Sequence, residues 1–81
     1  MREIEIKQES IRLDQLLKWA GVAMTGGEAK ALTQDGMIKV NGKIEKKRGR
    51  KILPGDKVVL PDGEVLTVFF RGGKNFVSRE D

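Results

Sequence analysis

Hydrophobic and charged residues alternate near the start of the chain, in the segment EIEIK from Glu3 to Lys7. This period of two is typical of a β-strand with one buried face, and it places Ile4 and Ile6 on the same side. Hydrophobic residues then recur at spacings of three, four and seven from Leu13 to Ala20. That spacing predicts an amphipathic first helix, which Gly21 can end.

A capping box predicts a second, short helix. Thr25 and Glu28 are three residues apart, the spacing at which a threonine hydroxyl accepts a first-turn amide while the glutamate reaches back to the cap. We expect this helix to run from about Gly26 to Gln34, with Gly36 following its end.

After the second helix the hydrophobic period changes from 3.6 to two. The segments MIKV and KIE flank Asn41-Gly42, which is a strong hairpin signal because a type I′ turn needs positive φ at both central positions. We expect Ile38, Val40 and Ile44 to supply the hydrophobic side chains of this hairpin.

Two further turns predict the remaining strands. LPGD, from Leu53 to Asp56, contains a proline that presets φ, and the strand KVVL follows it. PDGE then leads into VLTVFF, which is hydrophobic on both faces. This last strand is either covered on both sides or presents an association surface.

The order of these elements indicates an α+β fold, with two short helices packed on a small antiparallel sheet with hairpins. The chain has 81 residues, which is the size of one domain with one core. We assign residues 1–71 to that single domain. Residues 72–81 have no period, and we expect them to form a mobile C-terminal tail.

The composition argues against catalysis and against a membrane location. The chain has no cysteine, histidine or tyrosine, and its twelve carboxylates are scattered, so we predict no catalytic residues, no metal site and no cofactor. No hydrophobic run reaches the roughly 20 residues that span a bilayer, and the acidic start lacks the apolar centre of a signal peptide. We therefore expect a cytoplasmic, non-enzymatic protein that acts as a monomer.

Positive charge is concentrated in the middle of the chain. The net charge is +4, yet residues 37–57 contain eight cations against only two anions. The densest cluster consists of Lys43, Lys46, Lys47, Arg48, Arg50 and Lys51. Such a cluster is either a solvated loop or a surface for phosphates. Its position between two predicted strands favours the phosphate-binding surface.

Several segments in one unbroken order suggest a family. RLDQLLKWAG, a capped helix with EAKAL, DGMIKVNGK and ILPGDKVVL together resemble the RNA-binding domain named after protein four of the small ribosomal subunit, the S-four or alpha-L domain. The resemblance covers Ile11 to Leu60, and the chain is similar to free-standing bacterial members. It implies binding of ribosomal or transfer RNA and a role on the ribosome or in its assembly.

The same resemblance suggests further RNA contacts and one difference. Arg12, on the flank of the first helix, resembles the arginine that opens this helix in the family. Many members carry a serine and a basic residue at the start of the second helix, whereas this chain has Thr25-Gly26-Gly27. The cap is retained, but one expected cation is missing.

The second helix offers a flat face if Ala29, Leu32 and Thr33 point to the core. The opposite face then consists of Gly27, Lys30, Ala31 and Gln34. Lys30 would supply a charge, and the amides of Gly26 and Gly27 would bind a phosphate at the positive end of the helix. Alternatively, the glycines only shape the turn that enters the helix.

The pattern as a whole favours an RNA-binding protein that recognises structured RNA by shape and phosphate positions. Trp19 can stack on a base or pack against the core, and the few aromatic residues argue against a single-strand binder. Two alternatives remain: a helix-turn-helix DNA-binding protein, and a protein-interaction module that uses the VLTVFF strand. The predicted partners exclude membranes and small-molecule substrates.

Overall fold

A computed structural model describes residues 1–71. Two helices and seven short strands follow one another along the chain. These are β1 (Arg2–Ile6), β2 (Ile11–Arg12), α1 (Leu13–Trp19), α2 (Gly26–Gln34), β3 (Lys39–Val40), β4 (Lys43–Ile44), β5 (Lys51–Ile52), β6 (Lys57–Val59) and β7 (Val65–Phe70). The predicted mobile tail, residues 72–81, lies outside the described residues.

Five of the strands form one sheet in the order β1-β7-β6-β3-β4. All neighbours in it are antiparallel except β1 and β7, which pair in parallel with Ile4 opposite Val68. A parallel pair needs a long connection, and here nearly the whole chain lies between the two strands. The α+β fold class is confirmed, while this one parallel pairing was not predicted.

The second sheet is a two-stranded ribbon that the sequence pattern did not predict. Strand β2 pairs antiparallel with β5, with Ile11 opposite Ile52 and Arg12 opposite Lys51. Arg12 therefore belongs to a strand and to the N-cap of α1, where its backbone is extended. Its predicted place on the flank of the first helix is wrong, because pairing with β5 holds it in the extended conformation.

Both helices contribute a buried stripe to the core and pack against each other. Leu13, Leu16 and Leu17 are fully buried in α1, and Gly21 follows the helix with a φ of 78°, as a glycine after a helix end often does. The buried hydrophobic residues of the whole core are Ile6, Leu13, Leu16, Leu17, Ala23, Ala29, Ile38, Val40, Ile52, Val58, Leu60, Leu66 and Val68.

Within residues 1–71, no helix is long and apolar enough to cross a membrane.

The predicted hairpin is present between β3 and β4. Asn41 and Gly42 have φ values of 52° and 87°, so both central residues adopt the positive φ of a type I′ turn. Ile44 was expected among the hydrophobic side chains of this hairpin, but it is 57% exposed and does not pack in the core. Ile44 lies opposite Lys39 in an edge strand, and directly opposite residues share a face, which here is the solvent face.

The VLTVFF segment forms β7, an internal strand between β1 and β6. Leu66 and Val68 are buried on one face. Val65, Thr67 and Phe69 on the other face are half-buried. Strand β6 pairs with residues 65–67 and β1 pairs with residues 66–70, and one face of β7 is buried.

Candidate nucleic-acid interface

The cluster of cations lies on a segment, residues 43–51, that caps the first helix; we call it the basic segment. The amides of Leu13 and Asp14 donate to the carbonyl oxygens of Arg50 and Arg48, at 2.8 and 2.9 Å. Helix α1 has no side-chain cap, so these carbonyls satisfy amides that a helix start otherwise leaves without partners. The basic segment is thereby fixed to the start of α1.

Glu45 braces the basic segment from within. Its carboxylate accepts a hydrogen bond from Nη1 of Arg50 at 2.6 Å and another from the Lys47 amide at 3.1 Å. The hydrogen bond from Arg50 is the main cause that lowers the pKa of Glu45 below its ordinary value, and the bond from the Lys47 amide adds to it. Partial burial acts in the opposite direction but is outweighed. Arg50 is thus paired with Glu45 within the segment and is half-buried.

The other five cations of the basic segment point to solvent. Lys43, Lys46, Lys47, Arg48 and Lys51 are all exposed. Within the part of the chain that the structure describes, none of the five forms an ion pair with a carboxylate. Their charges are therefore available to neutralise the phosphates of a bound polyanion, which releases condensed counterions.

The start of α2 carries the predicted threonine cap, with one difference in the glutamate. The Thr25 hydroxyl oxygen accepts from the Glu28 amide at 3.1 Å, as expected. The Glu28 carboxylate reaches back past the cap and accepts from the Met24 amide at 2.6 Å, so the predicted bond to the cap residue itself is wrong. Among residues 1–71, no acceptor binds the amides of Gly26 and Gly27.

The exposed face of α2 is as flat as its sequence predicts. Ala29 and Thr33 are buried and Leu32 is half-buried, which confirms the face assigned to the core. The opposite residues Gly27, Lys30, Ala31 and Gln34 are exposed. A β-carbon added at Gly26 would meet nothing within 4 Å. The space around this glycine is therefore open.

The basic segment meets the end of α2, not its start. Gly36, two residues beyond α2, has a φ of 74°, and a β-carbon there would lie 3.5 Å from Cε of Lys46. The amides of Gly26 and Gly27 lie at the other end of the helix, roughly 13 Å away along the axis at 1.5 Å per residue. The candidate residues therefore extend along α2 from the basic segment instead of forming one compact cluster.

Arg12 stands where β2 meets α1 and is paired within the chain. Its Nη2 lies 2.9 Å from Oδ2 of Asp14, whose side chain is only 9% exposed and also accepts from the Gln15 amide. The Arg12 side chain is 56% exposed. Because a guanidinium has five N–H donors, Arg12 keeps donors for a phosphate while Asp14 holds its position.

A groove of about 470 Å³ connects the start of α1 with the basic segment; we call it the polar groove. Its lining residues are Gln8, Ser10, Ile11, Arg12, Gln15, Gly49 and Lys51. Gln8 and Ser10 were not among the predicted contacts, because the linking segment KQES has neither a hydrophobic period nor a net charge. Only the pairing of β2 with β5 places them beside Arg12 and Lys51.

Comparison with known proteins relates this chain to a family and to a bacterial protein. A family model described as the S4 domain matches residues 4–69, which is most of the chain. A protein of Bacillus subtilis (strain 168), named "Probable ribosome maturation protein RlbA", is 42% identical over 55 residues. That alignment covers 68% of this chain and 78% of the Bacillus protein.

Proposed function

This chain belongs to the S4 domain family, and from that premise we propose that it binds structured RNA through the basic segment and the exposed face of α2. The proposed phosphate contacts are Arg12, Thr25, Gly26, Gly27, Lys30, Lys43, Lys46, Lys47, Arg48, Arg50 and Lys51. Residues 1–71 act as one RNA-binding domain, as a monomer and without a catalytic role.

The attachment of the basic segment to α1 is the observation that carries this proposal. A flexible charged loop loses conformational entropy when it binds, whereas a segment held by the Leu13 and Asp14 amides has already lost much of it. Five exposed cations on such a segment form a preorganised surface for phosphates. This favours the phosphate-binding interpretation over that of a solvated loop.

The aromatic residues favour folded RNA over single strands. Proteins that bind single strands stack successive bases on several aromatic side chains. Here Phe69 and Phe70 are half-buried in β7, and Trp19 is the one exposed aromatic side chain among residues 1–71. Recognition would therefore depend mainly on the spacing of phosphates in a helical stem, junction or stem-loop.

The name of the Bacillus relative favours a ribosomal partner. That protein is named as a probable ribosome maturation protein, and it aligns with two thirds of this chain. We infer that the RNA is ribosomal and that this chain acts on the ribosome or during its assembly. Transfer RNA is the second candidate, because the fold would bind both kinds of folded RNA by the same phosphate contacts.

The two rival functions find less support. A helix-turn-helix protein reads base edges with long polar side chains, whereas the exposed face of α2 offers Gly27, Lys30, Ala31 and Gln34. A partner that adds a strand to β7 has only the short stretch of residues 68–70 to pair with on the side that faces β6. An acidic protein that binds the basic segment is the rival that charge alone does not separate from RNA.

A competition assay at several salt concentrations tests the proposal. A labelled RNA hairpin is displaced by an unlabelled hairpin, by duplex DNA of the same sequence and by an acidic polypeptide. We expect the RNA hairpin to compete best and its affinity to fall steeply as salt rises. Equal competition by DNA would contradict recognition of RNA shape, and stronger competition by the polypeptide would favour a protein partner.

A further inference from the structure

Trp19 is exposed in a way that core packing does not explain. It ends helix α1, and 59% of its surface is open to solvent. Its Nε1 donates to the carbonyl oxygen of Glu5 at 3.3 Å. The polar end of the indole is thereby satisfied inside the molecule and the ring is held in place, while much of its apolar surface remains uncovered.

A small apolar cavity of about 140 Å³ lies beside this ring. The residues that line it are Ile6, Lys7, Gln8, Ser10, Ile11 and Trp19. The two isoleucines and the indole are its hydrophobic part. Lys7, Gln8 and Ser10 add side chains that donate and accept hydrogen bonds. A flat, partly polar group with an aromatic face fits this combination.

The cavity lies next to the polar groove, with which it shares lining residues. Gln8, Ser10 and Ile11 line both spaces, and the groove then extends to Arg12 and Lys51. A nucleic-acid strand with its phosphates at Arg12 and Lys51 would therefore have its next unpaired base within reach of Trp19. A base that enters the cavity beside Trp19 would thus belong to the same RNA molecule whose phosphates lie in the polar groove.

We propose that the cavity beside Trp19 binds one unpaired base of the RNA, which stacks on the indole while the adjoining backbone lies in the polar groove. This inference rests on the proposed RNA binding and adds to it a preference for a stem with an unpaired base over a fully paired stem. Phosphate contacts alone do not distinguish a continuous stem from a stem with a bulge. A stacking position for a single base does, because a fully paired stem keeps its bases inside the helix.

Three short RNA duplexes test this preference. The first carries one bulged adenosine, the second carries an abasic residue at the bulge, and the third is fully paired. We expect the protein to bind the first more tightly than the other two, by between about fivefold and about 150-fold, which corresponds to one base–aromatic stack. Trp19→Ala should remove this preference and leave the affinity for the paired duplex unchanged.

Two further variants make the result specific. Trp19→Phe loses the bond to Glu5 but keeps an aromatic ring, so it should retain part of the preference for the bulge. Lys46→Ala should weaken binding to all three duplexes alike. Because Trp19 is the single tryptophan and the chain has no tyrosine, its fluorescence should be quenched by the bulged duplex more than by the abasic one.

The outcomes separate this inference from the function on which it rests. If wild type binds the bulged and abasic duplexes equally, or if Trp19→Ala retains the preference, the stacking position is wrong while RNA binding stands. If Trp19→Phe behaves as Trp19→Ala does, the effect comes from the lost Glu5 bond and the inference also fails. If none of the three duplexes binds, the proposed function fails as well.

Discussion

Gly27 lies on the exposed face of α2, where contacts within the chain do not require a glycine. A β-carbon added at this position would meet only Oγ1 of Thr25, at the ordinary contact distance of 3.8 Å, and its φ is not in the left-handed region. An alanine would therefore fit, and it would restrict the unfolded chain more than a glycine does. If Gly27 lies in the proposed binding surface, close approach of a ligand would be a physical reason for a residue without a side chain.

Gly27→Ala is expected to raise the free energy of unfolding by about 0.5 kcal/mol, because alanine loses less conformational entropy in a helix. It is expected to weaken RNA binding, and Gly27→Glu should weaken it further through charge repulsion. Denaturant unfolding and RNA titration measure the two effects. Unchanged affinity of Gly27→Glu would remove this face from the binding surface.

Ala31 provides a matched control on the same helix. Ala31→Glu places the same new charge on the exposed face without changing the helix start. If the face binds RNA, both glutamate variants lose affinity. If only the amides at the start of α2 hold a phosphate, Gly27→Glu loses more than Ala31→Glu does.

Glu45 gives the basic segment a dependence on pH. The hydrogen bond from Arg50 lowers the pKa of Glu45 in the folded state, so its carboxylate is stabilised by folding. The stability that the ionised Glu45 adds to the fold is fully present above the ordinary glutamate pKa of about 4.3. It is lost as pH falls through the lower pKa of the folded state. An NMR titration of the Glu45 carboxyl carbon should give a midpoint below that ordinary value.

Glu45→Gln is the control for this titration. Glutamine keeps an acceptor for the Lys47 amide but has no charge for Arg50. The stability difference between wild type and Glu45→Gln should therefore shrink as the solution is acidified. A stability difference that stays constant across the acidic range would mean that the ion pair of Glu45 with Arg50 does not stabilise the fold.

The basic segment combines two roles at the scale of an element. Its backbone carbonyls at Arg48 and Arg50 cap α1, and the side chains of the segment carry the exposed charges. Substitutions that shorten the side chains leave the carbonyls in place. The charge of the segment can therefore be removed without removing the helix cap.

Replacing Lys46, Lys47 and Arg48 with alanine is expected to weaken RNA binding and to flatten its dependence on salt, by roughly one unit of slope for each phosphate that is no longer neutralised. The stability of the fold should change little, because all three side chains are exposed. Affinity measured at four or more salt concentrations, with circular dichroism for the fold, checks both parts.

Lys18 supplies a comparison outside the segment. It is exposed on the last turn of α1, and Lys18→Ala removes one positive charge from a different surface. The salt dependence of RNA binding by Lys18→Ala should stay close to that of wild type. A triple variant with an unchanged slope would mean that the basic segment is solvated and that RNA binds elsewhere.

At the scale of the whole molecule, the core and the candidate interface are joined through β5. Ile52 is fully buried and lies opposite Ile11, and the residue before it, Lys51, belongs to the basic segment. Loss of packing at Ile52 should therefore loosen the segment as well as the core. Ile52 is the buried residue that directly follows the basic segment in the chain.

Ile52→Ala is expected to cost about 2–5 kcal/mol of stability, and Ile52→Val about 0.5–1.5 kcal/mol. Both should speed hydrogen exchange at the Leu13 and Asp14 amides, because these amides are bonded to the basic segment. RNA affinity should fall under conditions where the protein is still folded.

Leu66→Ala is the matched control for this coupling. Leu66 is also fully buried, but it lies in β7 of the larger sheet. Its replacement should lower global stability without a selective effect on the two amides or on RNA affinity. If both alanine variants change exchange and affinity equally, the core and the segment are coupled only through global unfolding.

Local patterns in the sequence were sufficient for most of the elements. The capping box predicted α2 with its observed bounds, and Asn41-Gly42 predicted a hairpin whose two central residues both have positive φ. These features depend on interactions within a few residues, so the sequence alone determines them. The same holds for the excess of charge in residues 37–57, which needs no fold to be counted.

Contacts between residues far apart in the chain determine the strand pairing and the side-chain exposure that local patterns did not predict. Strand β2 exists because β5 pairs with it, some forty residues later, and this pairing takes Arg12 out of the helix. The hydrophobic period grouped Ile44 with the hydrophobic side chains of the hairpin, yet its position opposite Lys39 in an edge strand turns it to solvent. A hydrophobic period predicts which residues share a face, but it does not predict which face another layer covers.

The sequence by itself therefore determined the α+β class, the family and the candidate cations. Only the tertiary structure decided that the cations lie on a segment that caps α1, and that the α2 amides lie at the far end of their helix. It also placed Trp19 beside a cavity that shares lining residues with the polar groove. The physical reason is that charge and local hydrogen bonding are properties of nearby residues, whereas a binding surface depends on the packing of segments far apart in the chain.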